Sequence, residues 1–271
     1  MSSNQPIVIC FDMDGTLLDG SGEIHPNDRK ILKSDRQYFF IPATGRSLEA
    51  VRRLFQRNEL FRHGLLPIPL ILQNGSLVYL PGEKMHAYRA FPQETQERLL
   101  AAMLAEPKLN FWLFGQNFLH TLWPTPFGQS LSEHFDLEIQ PFPLDGPAAQ
   151  YSKIIALSED PKQLADFARN PALDGVELSY SRTTLLEINP AGVNKGTALA
   201  DLLRTLGLEQ PQLYVAGDGG NDLPLFELSE HSFAPRDAQP RVRERASHVI
   251  DTCAEGLLTP ILRVAKNKLG G

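Results

Sequence analysis

Six residues near the start of the chain, Pro6-Ile7-Val8-Ile9-Cys10-Phe11, are apolar without interruption and rich in β-branched side chains. A strand wetted on one face alternates apolar and polar residues. A continuous run of this length fits a strand buried on both faces, as in a parallel sheet covered by helices. The run stops abruptly at Asp12-Met13-Asp14-Gly15-Thr16, so the carboxyl end of this strand presents two carboxylates. With a spacing of two at a strand end, Asp12 and Asp14 leave on the same side and Met13 points away.

Strand and helix then alternate. After a turn through Gly20 and Gly22, a helix begins near Asn27, and a strand over 38–43 meets Thr44-Gly45-Arg46. Ser47 is a good N-cap for a helix through Arg57, with Glu49 favourably placed in its first turn. A third strand over 70–73 ends at Asn74-Gly75, a turn signal, and a strand-like stretch follows over 77–80. The alternation resumes at Lys195, with a helix to about Leu206 and a strand over 213–216. Gly217-Asp218-Gly219-Gly220-Asn221-Asp222 comes next. Strand-like pieces over 232–234 and 248–250 flank a helix over 241–246, and a last helix starts near Gly256.

The stretch between these blocks is far too long for one crossover, which usually needs a single helix. It has its own rhythm. A helix over 93–105 precedes strands over 111–114 and 118–123, then a helix over 129–135. A strand over 154–157, a helix over 162–169 and strands over 176–180 and 185–188 follow. The expected fold class is therefore α/β, a Rossmann-like parallel sheet core with helices on both faces, plus an inserted α+β domain. Residues 1–81 and 190–271 form the expected core, and 82–189 the expected insert.

Charge and cysteine content exclude several functions. The 271 residues carry 26 basic and 32 acidic side chains, a net charge of −6, which argues against nucleic-acid or anionic-membrane binding. Cys10 and Cys253 cannot make a disulfide framework. The apolar segment over 65–72 is short and interrupted by Pro67 and Pro69, so no transmembrane helix is expected. The expectation is a soluble cytoplasmic protein.

Four separated segments carry chemistry-bearing residues directly after a strand or at a helix start. In open α/β sheets ligands bind beyond the carboxyl ends of the strands, where these segments would converge. Asp218 and Asp222, with Asn221, form a second acidic group beside Asp12 and Asp14. Carboxylates gathered in one crevice repel unless a cation neutralises them or some take up protons. An all-oxygen donor set without Cys or His favours Mg2+ over Zn2+. Lys195-Gly196-Thr197 lacks the upstream glycine of a Walker loop, and the segment over 217–222 lacks the third glycine of a dinucleotide fingerprint.

Asp12-Met13-Asp14-Gly15-Thr16, Thr44-Gly45-Arg46, Lys195 and the Gly217–Asp222 segment resemble, in order, the four motifs of the haloacid dehalogenase (HAD) superfamily. The insert resembles the large cap of its Cof-type (IIB) phosphatases, as do Gln73-Asn74-Gly75 and Leu186-Glu187-Ile188. The resemblance implies that Asp12 is a nucleophile forming an aspartyl-phosphate. Asp14 is then general acid and base, and its backbone carbonyl binds Mg2+. It further implies that Thr44 donates to a phosphoryl oxygen, Lys195 neutralises charge, and Asp218 completes the protein ligands to the metal. Asn221 and Asp222 would ligate, position or support that shell.

Such roles suit phosphoryl transfer, which asks a protein mainly for positioning and for positive charge. An acid at Asp14 fits ester cleavage, where the leaving alkoxide needs a proton. Gly45, Arg46 and Asn221 are further candidate substrate contacts. So is Arg182, in the turn expected between the last two strands of the insert. The insert's aromatics Phe111, Trp112, Phe114, Phe118 and Trp123 are read as packing its sheet against helices rather than stacking on a ligand. As a whole, the insert is expected to cover the crevice and set specificity.

The reading is a Mg2+-dependent phosphatase acting on a small phosphorylated metabolite, a sugar phosphate or similar. It has no nucleic-acid or membrane partner, and it is a monomer or small homo-oligomer. A phosphomutase of related architecture and a phosphoacceptor binding module are the alternatives.

Overall fold

The computed structural model describes residues 5–61, 64–143, 149–208 and 210–269. The chain begins with β1 (Ile7–Phe11), α1 (Pro26–Ser34), β2 (Tyr38–Pro42), α2 (Leu48–Arg57), β3 (Leu70–Leu72), β4 (Leu77–Leu80) and β5 (Lys84–Tyr88). It continues with α3 (Gln93–Leu104), β6 (Asn110–Phe114), β7 (Leu119–Leu122), α4 (Pro126–His134) and β8 (Gln140–Pro141). β9 (Lys153–Leu157), α5 (Pro161–Phe167), β10 (Glu177–Arg182) and β11 (Leu185–Asn189) come next. The last part holds α6 (Lys195–Thr205), β12 (Gln212–Ala216), α7 (Leu223–Phe226), β13 (His231–Pro235) and α8 (Pro240–Arg245). It closes with β14 (His248–Ile250), α9 (Thr252–Glu255) and α10 (Leu258–Leu269).

The chain divides into two compact units, one made of Met1–His86 with Lys195–Gly271, the other of Ala87–Asn194. The expectation set the joints after residue 81 and before residue 190. β5 explains the difference at the first joint, because it extends a small sheet begun by β3 and β4.

In the first unit, β1 lies inside a five-stranded sheet of order β14-β13-β12-β1-β2, with every pairing parallel. All five residues of β1 are buried. Each such side chain contributes about 2 kcal/mol relative to exposure, which accounts for the unbroken apolar run. The register sets the strand ends level: Phe11 pairs with Ala216 on one side and with Pro42 on the other. Just beyond, the Asp12 N–H donates to Ala216 O (3.0 Å), and the Ala43 N–H donates to Phe11 O (2.8 Å). The loops after β1, β2 and β12 therefore leave from one edge of the sheet.

The third strand read from the sequence joins a different sheet. β3 pairs antiparallel with β4 and touches the β2 side through a single parallel bridge between Ala43 and Ile71. It ends at Leu72 because Gln73 and Asn74 turn to positive φ, 49° and 58°.

Local signals place the helices. Ser47 caps α2 by accepting from the Ala50 N–H, and Ala50, Val51, Leu54 and Phe55 form its buried face. At Gly196 a Cβ would lie 2.3 Å from the Pro224 carbonyl oxygen, so only glycine lets the first turn of α6 approach α7. Gly256, with φ 84°, separates α9 from α10, so the last long helix starts at Leu258, close to the expected start near Gly256. Buried Asp28 caps α10 by accepting from the Leu257 and Leu258 N–H groups, at 2.7 and 2.8 Å.

The second unit has a six-stranded sheet of order β10-β11-β9-β6-β7-β8, antiparallel except between β7 and β8. Phe111 packs with Leu99, Met103, Leu164 and Phe167 of α3 and α5. Trp112 and Phe114 pack in a second cluster, against which Phe127 and Leu131 of α4 rest. Trp123 is more exposed, and its indole N–H donates to Met103 O. No helix among the described residues is long and apolar enough to cross a membrane.

Candidate active site

The edge where β1, β2 and β12 end gathers most of the residues singled out in the sequence. Lys195, the first residue of α6, is fully buried. Its Nζ donates to Asp12 Oδ1 at 2.5 Å and to Asp222 Oδ1 at 2.7 Å. The other oxygen of Asp222 accepts the N–H groups of Asp218 (3.0 Å) and Gly219 (2.9 Å). Both oxygens of Asp222 are thereby committed to fixing Lys195 and the Gly217–Asp222 turn.

Asp218 is reached from the first loop. Thr16 Oγ1 donates to Asp218 Oδ1 at 3.3 Å. Gly15 has φ 75°, and a Cβ there would lie 2.6 Å from Asp218 Oδ2. Glycine satisfies both the backbone turn and the close approach of this carboxylate.

The loop after β2 is held from below. Thr44 is buried, its N–H donates to Ile71 O (2.8 Å), and its carbonyl accepts the Asn74 N–H (3.1 Å). Thr44 Oγ1 accepts the Arg46 N–H at 3.2 Å, which leaves the hydroxyl proton available for an acceptor. Arg46 clamps Asp14 with two parallel bonds, Nε to Oδ2 at 2.7 Å and Nη2 to Oδ1 at 2.6 Å. This fork geometry fixes the plane of the Asp14 carboxylate. Asn221 Nδ2 donates to Asn74 Oδ1 at 3.2 Å.

Charge is unevenly compensated here. Ligand oxygens of Asp12, Asp218 and Asp222 all lie within 4.8 Å of one another. At about 4 Å and an effective dielectric of about 20, two like charges repel by about 4 kcal/mol. Burial drives the Asp12 carboxyl well above the usual carboxylate range; Asp222, Asp218 and Asp14 add to the shift, and Lys195 opposes it. Burial, followed by Asp222, pushes Asp218 up to about 7. Burial works to lower the proton affinity of Lys195, but the facing Asp12 and Asp222 hold its pKa above the ordinary lysine value.

These residues suit a divalent cation. With all three carboxylates ionised, the cluster facing one ammonium is two positive charges short, while Asp14 is compensated by Arg46. Asp12 and Asp218 each keep one oxygen that no described side chain or N–H engages. An oxygen-only set of this kind matches Mg2+ chemistry.

Asp12, Asp14, Thr44, Gly45, Arg46, Lys195, Asp218, Asn221 and Asp222 all lie in the first unit, on the loops just described and at the start of α6. Arg182 lies in the second unit at the end of β10, with its guanidinium carbon 5.2 Å from the centre of the Phe135 ring. Sequence reasoning assigned no site role to Thr16 or Asn74. Asn74-Gly75 was legible as a turn, but the partner of its side chain lies far along the chain.

A family model described as haloacid dehalogenase-like hydrolase matches residues 9–259. The chain is 25% identical over 266 residues to the 5-amino-6-(5-phospho-D-ribitylamino)uracil phosphatase YcsE of Bacillus subtilis, with 94% of each chain covered. It is 29% identical over 252 residues to the HMP-PP phosphatase of Serratia proteamaculans, over 86% of this chain and 85% of that one. Among solved structures, a haloacid dehalogenase-like hydrolase from Bacteroides thetaiotaomicron matches with a TM-score of 0.79 at 20% identity. That match covers 96% of this chain and all of the other.

Proposed function

The chain belongs to the haloacid dehalogenase-like hydrolases, in their Cof-type (IIB) branch, and from this premise we infer that Asp12 is the nucleophile of a Mg2+-dependent phosphatase. The enzyme class is phosphoric monoester hydrolase. Its substrate is a small phosphorylated metabolite, a sugar phosphate or a compound of that size. The similar proteins named as phosphatases of such compounds support that class.

In the first half-reaction an Asp12 oxygen attacks phosphorus and the ester P–O bond breaks, with Asp14, released from the Arg46 clamp and protonated, giving its proton to the departing oxygen. In the second, water attacks the aspartyl-phosphate, Asp14 takes the water proton, and cleavage of the acyl P–O bond returns Asp12 with inorganic phosphate. Thr44 Oγ1 donates to a phosphoryl oxygen throughout. Lys195 offsets the charge on Asp12 and orients it, and Asp222 holds Lys195 in place. Arg46 pairs with Asp14 in the substrate-free site and, on releasing it, offers its guanidinium to the phosphoryl group. Mg2+, held by Asp12, the Asp14 carbonyl and Asp218 with Asn221 beside them, would supply the positive charge that lets a carboxylate approach an anionic phosphate.

The observation that carries this reading is the state of Asp12. One oxygen is fixed by Lys195 at 2.5 Å and the other has no protein partner among the described residues, in a cluster of three carboxyls that share a single ammonium. Multiple-turnover phosphate release from an aryl phosphate with Mg2+, together with acid-quench trapping of a labelled aspartyl-phosphate, tests it. Turnover without a trappable phosphoenzyme at any substrate concentration would count against Asp12 as nucleophile.

A further inference from the structure

The turn after β3 is an unusual piece of backbone. Gln73 and Asn74 are both left-handed, φ 49° and 58°, and Gly75 follows at φ 105°. Two consecutive non-glycine residues in this region are strained, and persist only where surrounding structure enforces them. Here all three residues are buried, and the conformation has a visible product. The Gln73 N–H donates to Arg46 O (3.1 Å) and the Asn74 N–H to Thr44 O (3.1 Å). Two successive amides thus grip both ends of the Thr44–Arg46 loop. From the same residue, Asn74 Oδ1 accepts the Asn221 amide at 3.2 Å, across 147 positions of sequence.

Resting on the phosphatase reading above, we propose that Asn74 is a positioning residue that sets the distance between Thr44 and Asn221. Its backbone fixes the loop that carries the phosphate donor Thr44 and the Arg46 partner of Asp14. Its side chain fixes the amide beside the metal-binding carboxylates. Neither contact touches substrate. Catalysis by positioning is sensitive to such a strut, since a shift of about 1 Å away from the chemistry can cost about 100-fold in rate. Asparagine suits the position because it tolerates a left-handed backbone better than other side chains while supplying an acceptor.

Asn74→Gly separates the two functions, because glycine adopts the same backbone without steric cost and removes only the side chain. The full chain with Mg2+ is expected to keep its melting temperature within a few degrees and its KM within about threefold, while kcat falls about tenfold or more. Orthovanadate, a mimic of pentavalent phosphorus, is expected to bind about tenfold more weakly by calorimetry, a readout that needs no turnover. The Asn74→Gly/Asn221→Ala double variant is expected to be no slower than Asn221→Ala alone, since coupled residues are not additive. Parental kcat or parental vanadate affinity in Asn74→Gly, additive losses in the double variant, or a melting temperature that collapses with activity would each overturn the proposal. The phosphatase reading is judged separately, by turnover of the parent and its loss in Asp12→Asn.

Discussion

The ammonium of Lys195 lies 2.5 Å from Asp12 Oδ1, although 183 positions of sequence separate the two residues. Neither group is suited to burial alone, and neither has an ordinary pKa. Each is kept in its pocket by the other, with Asp222 as the third member.

Asp12→Asn keeps the size of the side chain and removes both the nucleophile and one of three crowded carboxylates. Phosphate release is expected to fall by about a thousandfold or more. The melting temperature is expected to stay level or rise, because burial and like-charge repulsion both disfavour the native carboxylate. Parallel phosphate-release and thermal-melt measurements check both halves.

Removing the cation is expected to silence turnover, and adding Mg2+ to restore it. Mg2+ is also expected to raise the melting temperature in a concentration-dependent way, because it binds the folded cluster and has no comparable site in the unfolded chain. Full activity in excess EDTA, or a melting curve indifferent to Mg2+, would contradict the charge argument.

Glu83 offers a test of pH dependence away from the chemistry. Arg52 clamps its carboxylate, and the Leu66 N–H donates to it at 3.2 Å. The Arg52 bond is the main cause holding Glu83 below the ordinary glutamate value, with the Leu66 N–H assisting. A depressed folded pKa means that the stabilisation is present above the unfolded value near 4.5 and is lost as pH falls through the folded one. Because Arg52 is partly exposed, Glu83→Gln is expected to cost only about 1 kcal/mol at neutral pH. That deficit should shrink to nothing in acid, as read by denaturant melts of both proteins across the range.

Asp28→Ala is expected to destabilise the first unit by about 2 kcal/mol, since it orphans the Leu257 and Leu258 amides at the start of α10. Asp28→Asn, which keeps an acceptor, should recover part of the loss. Chemical denaturation midpoints distinguish the two.

Some features were legible because their causes are local. An uninterrupted apolar run can bury both faces only inside a covered sheet, so residues 6–11 alone announced a parallel core. Ser47 and the apolar spacing of α2 announced that helix in the same way. β5 gave no such signal. Its residues are exposed or half-buried, the alternation of Met85 and Ala87 is too short to mark a strand, and it exists through pairing with β4. β8 is two residues long and has no sequence period at all.

The site divides along the same line. The residue types and their places at strand ends are properties of the sequence: Asp12, Asp14, Thr44, Lys195 and Asp218 can be named from it. Which of them meet, and with what charge, is not. The clamp of Arg46 on Asp14, the commitment of both Asp222 oxygens and the span from Asn74 to Asn221 depend on strand register and on burial. These are sums over contacts distant along the chain. Proton affinity follows the same rule, because a carboxyl has its ordinary value until the fold removes its water and places another charge beside it.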